Sequence, residues 1–69
     1  MSNLYKKVEV VGTSPVSFSE AVKNAVSEAS RTIRNITWFE VIEERGRVKD
    51  GAVVEFQATV KLGFRLERE

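Results

Sequence analysis

From Ala52 to Leu66 every even-numbered residue is apolar: Ala52, Val54, Phe56, Ala58, Val60, Leu62, Phe64 and Leu66. From Glu55 onward the residues between them are Glu55, Gln57, Thr59, Lys61, Gly63 and Arg65. Side chains alternate across a strand, so this segment presents one apolar face that must meet a second layer and one mixed face that points away from it. Asp50-Gly51 directly precedes it, a pair that favours a two-residue type I′ hairpin turn. Trp38 to Lys49 is then the antiparallel partner strand. Phe39 and Val41 fall on one parity of it, and Trp38, Glu40 and Ile42 on the other.

Counting back from the turn gives a register. Phe39 faces Leu62 and Val41 faces Val60 on the apolar side, while Trp38 faces Gly63 on the other side with Arg65 diagonally near. Uninterrupted pairing also sets Ile42 against Thr59 and Glu44 against Gln57. Strict alternation would, however, turn Arg45 and Arg47 toward the apolar layer, so a bulge is expected between Glu43 and Gly46.

The second layer is a helix. Ser17-Phe18-Ser19-Glu20 fits a capping box, in which the Ser17 hydroxyl takes the Glu20 N–H and the Glu20 carboxylate reaches back to Ser17. Phe18, Ala21, Val22, Ala25, Val26, Ala29 and Ile33 then form one stripe at helical spacing. The pattern predicts a helix of roughly 17 residues, about 25 Å long, with Arg31 and Arg34 near its end to suit the macrodipole. The small residues of the stripe allow a sheet to approach closely. Leu4 to Val11, rich in valine, reads as a first strand that Gly12 ends. The fold class is α+β: a single domain over residues 1–69, β-α-β-β, with a three-stranded antiparallel sheet packed on one long helix and the last strand in the centre.

Composition narrows the function. A 69-residue chain buries too little for its own core to supply more than a few kcal/mol. It contains no Cys and no His, so disulfides, ordinary zinc sites and Ser-His or Cys-His nucleophiles are excluded. Partner subunits are the remaining support. Eleven basic and ten acidic residues alternate in sign, which argues against a nucleic-acid binder with a concentrated basic footprint. No apolar run reaches membrane-spanning length, and Met1 to Lys7 lacks the apolar region of a secretory signal. These features predict a cytoplasmic protein. Gly12-Thr13-Ser14-Pro15 has no phosphate-loop pattern, and Glu40, Glu43 and Glu44 read as a solvated acidic cluster.

The face away from the helix therefore carries Trp38, Ile42, Gln57, Thr59 and Arg65. An indole on an uncovered sheet is either an oligomer anchor or a ligand platform. As a platform, Trp38 would stack on a flat heteroaromatic, Gln57 would bind a ring edge through its amide, and Arg65 or Arg45 would meet a phosphate. Taken singly, Gln57 also reads as a solvated strand residue and the arginines as ion-pair partners of nearby glutamates. A single-stranded nucleic-acid module built on Trp38 is a third reading, disfavoured by the charge balance.

Tyr5-Lys6-Lys7-Val8-Glu9-Val10-Val11-Gly12-Thr13-Ser14, Trp38-Phe39-Glu40-Val41, Arg45-Gly46, Phe56-Gln57 and Gly63-Phe64-Arg65-Leu66-Glu67 together resemble the dodecins, in the same order and at similar spacing. The resemblance implies a β-α-β-β chain assembled into a hollow homododecamer of cubic symmetry that stores or buffers flavin. It implies flavins bound in pairs between symmetry-related tryptophans, here Trp38, with Gln57 on the pyrimidine edge and Arg45 as in bacterial members. It implies FMN or riboflavin as ligand, coenzyme A as a second ligand of some members, and quenching of flavin photochemistry by the stacked indole rather than catalysis. The segment Pro15 to Ser19 and much of the helix surface depart from the family pattern.

Overall fold

Asp50 and Gly51 both take positive φ, 53° and 77°, as a type I′ turn requires. Around them, in the computed structural model, which describes residues 3–66, fold four elements: β1 (Tyr5–Ser14), α1 (Phe18–Ala29), β2 (Ile36–Lys49) and β3 (Ala52–Arg65). The sheet order is β1-β3-β2, all antiparallel, so the long alternating strand is central as its pattern demands. Ala58, Val60 and Leu62 of β3 are fully buried against Ala21 and Ala25 of α1, with Val8, Val10, Val22, Val26, Ala29 and Ile36 packed around them.

Five boundaries differ from the sequence reading, the first being that β1 begins at Tyr5 and not at Leu4. β1 does not stop at Gly12 but continues to Ser14. A Cβ at Gly12 would overlap the Ala21 carbonyl oxygen and the Ala25 Cβ, so this glycine marks the close approach of helix and sheet and not a strand end. The helix has 12 residues, not 17. The Ser30 hydroxyl donates to the Val26 carbonyl at 2.7 Å and the Thr32 hydroxyl to the Ala29 carbonyl at 3.5 Å, competing with further helical turns, and Asn35 at φ 66° reverses the chain. Arg31 therefore lies past the helix end, where it pairs with Glu28 at 3.4 Å. β2 begins at Ile36, two residues earlier than expected. The last strand ends at Arg65, one residue before Leu66.

Half of the capping box forms. The Ser17 hydroxyl accepts the Glu20 N–H at 3.0 Å, but the Ser17 N–H goes to the Ser14 hydroxyl at 3.4 Å in place of Glu20. Ser14 also accepts the Val16 N–H at 2.9 Å, so this nearly buried serine fixes the β1–α1 connection.

α1 lies over β1 and β3 and barely reaches β2. Phe39 and Val41, on the helix side of β2, are consequently 51% and 45% exposed. Beyond the helix the β2–β3 hairpin continues alone, with Val48, Val53 and Val54 exposed near its tip, and the chain measures 55 × 20 × 13 Å. No helix among the described residues is long and apolar enough to cross a membrane.

Candidate ligand-binding face

Pairing across the sheet arranges the face opposite the helix in rows. Lys7, Gly63 and Trp38 form one row, and Glu9, Lys61 and Glu40 the next. Trp38 against Gly63, Phe39 against Leu62 and Val41 against Val60 are the pairs that the turn length predicts. Past Val41 the prediction fails. Ile42 is an extra residue in β2, so Glu43, not Ile42, faces Thr59, and Arg45, not Glu44, faces Gln57. The bulge thus lies one residue before the expected stretch, but it has the expected effect: Arg45 and Arg47 are on the face away from the helix. Glu44 moves to the helix side, beside Phe39 and Val41, so the three glutamates of β2 do not converge. A second irregularity leaves Val54 as the extra residue of β3, and Val53 pairs with Val48. Ala52 and Val54 therefore drop out of the single apolar parity read from the sequence.

At one end of the face the indole of Trp38 lies directly over Gly63. A Cβ at Gly63 would fall inside the ring atoms Cδ2, Cε2 and Cζ2. The missing side chain is what lets the ring lie over the sheet at Gly63, and Trp38 remains 37% exposed. The Tyr5 ring packs beside it, centroids 5.4 Å apart and planes tilted by 57°. The indole Nε1 donates to Glu40 Oε2 at 2.9 Å, and the same oxygen accepts Lys7 Nζ at 2.9 Å. The hydrogen bond from Lys7, then that from Trp38, hold the Glu40 carboxyl below its ordinary range against the opposing loss of hydration, and the charges of Lys7 and Lys61 add to the effect. Arg65 is in the row beyond, opposite Tyr5, with its backbone tied to Asn35 in both directions.

The other end is polar. Arg45 Nε donates to Gln57 Oε1 at 2.7 Å, and Gln57 Nε2 donates to Glu55 Oε1 at 2.9 Å. Arg47 Nη1 is 3.8 Å from the same Glu55 oxygen. Oxygen and nitrogen of the Gln57 amide are thereby assigned to definite directions. Of the four sequence-predicted site residues, then, the fold brings Gln57 to Arg45 and Trp38 to the neighbourhood of Arg65. It separates the two pairs by six residues of β3, about 20 Å.

Lys7, Glu40 and Tyr5 were not among the predicted site residues. Glu40 was recoverable, because a residue two positions from Trp38 on a strand shares its face. Among the described residues no group of three or more His, Cys, Asp or Glu side chains can share a metal ion. A groove of about 670 Å³ lies elsewhere, between β1 and α1 along Val10, Gly12, Thr13, Asn24 and Glu28, and none of the four candidates lines it.

The sequence profile of the dodecin family matches residues 4–67. This chain belongs to the dodecins. It is similar to the dodecin of Thermus thermophilus, 45% identical over 67 residues that cover 97% of each chain. Among solved structures, that of the dodecin from Streptomyces davaonensis superposes with a TM-score of 0.95 at 41% identity, covering 99% of this chain and all of that one. The dodecin from Streptomyces coelicolor gives 0.93 at 51% identity, covering 97% and 96%. A more distant relative, 27% identical over 93% of this chain and 90% of its own length, is the calcium dodecin of Mycobacterium tuberculosis. The dodecin β-α-β-β topology is thus shared with the whole described chain, from the strand that carries Tyr5 and Lys7 to the one that carries Arg65. Glu67, the last residue of the sequence resemblance, lies outside the described residues.

Proposed function

We propose that this dodecin is a cytoplasmic, homo-oligomeric flavin store that binds FMN or riboflavin on the face opposite its helix and has no catalytic task. The observation that carries the reading is the indole of Trp38 laid over Gly63 and left partly exposed on the uncovered face. A flat heteroaromatic ring fits that plane by stacking, and the Gln57 amide and the Arg45 guanidinium supply the donors and acceptors a pyrimidine edge needs. Arg65 and Arg45 are the cations that would meet the phosphate of FMN. When bound, an isoalloxazine supplies light absorption and one-electron chemistry. Trp38 would hold it against a nearby electron donor, and the stacked plane would exclude water from one side of it.

The 20 Å between the Trp38 and Gln57 rows bears on assembly. An isoalloxazine spans about half that distance, on the order of three strand residues. One ring therefore takes its stacking Trp38 and its edge-binding Gln57 from different subunits. The exposed Phe39, Val41, Val48, Val53 and Val54 supply apolar surface for such an assembly, which a core of this size requires.

Titration with riboflavin and with FMN tests the reading. Bound flavin loses most of its fluorescence, and Trp38→Ala abolishes the quenching and weakens binding by about 1–3 kcal/mol. Unchanged quenching in the variant would show that another group is responsible. A particle of monomer mass in light scattering at micromolar concentration would count decisively against the assembly.

A further inference from the structure

An indole has one polar atom, a donor with no acceptor capacity. On an exposed platform that N–H is ordinarily available to water or to a ligand. Here Glu40 Oε2 takes it at 2.9 Å. Glu40 is itself held, because Lys7 Nζ reaches the same oxygen at 2.9 Å from β1, the far side of the sheet. The result is a strap across three strands: Trp38 and Glu40 on β2, Gly63 beneath the ring on β3, and Lys7 on β1. The Tyr5 ring also packs against the indole, centroids 5.4 Å apart. Any rotation that lifts the indole from Gly63 breaks the N–H bond.

We propose that Glu40, anchored by Lys7, is a positioning residue that pins the Trp38 indole flat on Gly63 and withdraws its N–H from the ligand, so that Trp38 offers a fixed plane and no hydrogen bond. The ligand part of this statement rests on the flavin reading above. Pinning restricts the rotamers of the ring before a ligand arrives, so less freedom is lost on binding. It also divides the labour of recognition. A plane without a hydrogen bond tolerates any flat heteroaromatic, so discrimination among such rings falls to Gln57 and Arg45. The strap adds little to folding, since half-exposed ion pairs contribute little. That separates positioning from a merely structural role.

The test uses the assembled full-length protein and its sole tryptophan as a local probe. Time-resolved fluorescence anisotropy is recorded without ligand for the wild type, Glu40→Ala, Glu40→Gln and Lys7→Met, alongside the thermal midpoint and riboflavin titration. Glu40→Ala should add a fast local depolarisation of the indole while leaving the midpoint close to wild type. Its affinity for riboflavin should fall about two- to tenfold, the worth of one immobilised side chain. Glu40→Gln keeps an acceptor for the N–H and should restore slow depolarisation and most of the affinity. Lys7→Met, which keeps the stem but frees Glu40, should fall between the two. Unchanged indole motion in Glu40→Ala overturns the proposal. So does a Glu40→Gln variant as mobile as the alanine, or a large loss of thermal stability in both Glu40 variants. If the wild type fails to bind riboflavin, the flavin reading falls, and the ligand-free anisotropy still decides whether Glu40 positions the ring.

Discussion

Gly12 and Gly63 both make room for a large neighbour, on opposite faces of the same sheet. At Gly12 the neighbour is the backbone of α1, the Ala21 carbonyl above all; at Gly63 it is the side chain of Trp38. The first contact is made by atoms that cannot move without moving the helix. The second is made by a ring at the end of two rotatable bonds. One glycine therefore belongs to the fold and the other to the proposed ligand face, although both act through one missing Cβ. The difference teaches that the covered face is set by packing, whereas the open face is set by a few polar contacts that hold side chains in place.

Substitutions that add the missing Cβ should break this contrast apart. Gly12→Ala is expected to have the largest effect, a destabilisation of about 3 kcal/mol, because backbone and Ala25 must both yield. Denaturant unfolding measures it, and a midpoint equal to wild type would mean that the helix does not need its close approach. Gly63→Ala should leave the fold largely intact but displace the indole. Riboflavin binding should then weaken by about 1–3 kcal/mol, as on loss of the stacking ring itself. If instead Gly63→Ala unfolds the protein and keeps its affinity, the division between the two faces is wrong.

Mixed assemblies sharpen the comparison within the open face. Trp38→Ala chains co-assembled with Gln57→Ala chains should regain some complete flavin sites if, as proposed, each site draws its two residues from different subunits. If every site in the mixture stays defective, both contacts come from one chain. The smallest effect concerns acidity. Lys7 and Trp38 lower the Glu40 carboxyl below its ordinary 4.5, with Lys61 adding attraction. A lowered carboxyl contributes its stabilisation above the unfolded value, and that contribution is lost as pH falls through the folded one. Trp38 emission should thus be constant from neutral pH to about 4.5 and change only below it. In Glu40→Gln that acid transition should disappear.

Much of the fold was legible in the sequence because it rests on periodicity. The alternation of β3 placed it in the centre, and counting from Asp50-Gly51 put Trp38 on Gly63 correctly. The partner of Gln57 was misread because a one-residue bulge leaves no mark in composition. Ile42 is β-branched and ordinary in a strand, whereas Gly46, the more obvious irregular residue, is regularly paired with Phe56. The helix was read too long because its apolar stripe runs on through Ile33, whose N–H still bonds to Ala29 after the helix has ended. At that end the Ser30 and Thr32 hydroxyls bond back to the Val26 and Ala29 carbonyls and Asn35 takes positive φ, features that periodicity does not encode. Trp38, Gln57, Arg45 and Arg65 are the site residues that residue type and the family resemblance suggest. The restraint on Trp38 was missed because Glu40 and Lys7 are 33 positions apart and meet only across the folded sheet.

Two of the three irregularities of the hairpin act like a frameshift and its suppressor. Ile42 inserts one residue in β2 and Val54 one in β3, so the phase is lost at the first and recovered at the second. Between them lies a cassette of five pairs, Glu43 to Arg47 against Thr59 to Glu55, read in the shifted frame. The pairs next to the turn and those from Val41–Val60 to Trp38–Gly63 obey the count set by the turn, and a further shift lies beyond the platform, between Ile36 and Trp38. That stretch of five pairs sets which charges stand on the open face: Glu43, Arg45 and Arg47 of β2 and Glu55 of β3. Deleting Ile42 and Val54 together would remove both extra residues and leave the same five pairs in uninterrupted alternation, so Arg45 and Arg47 would stay on the face away from the helix.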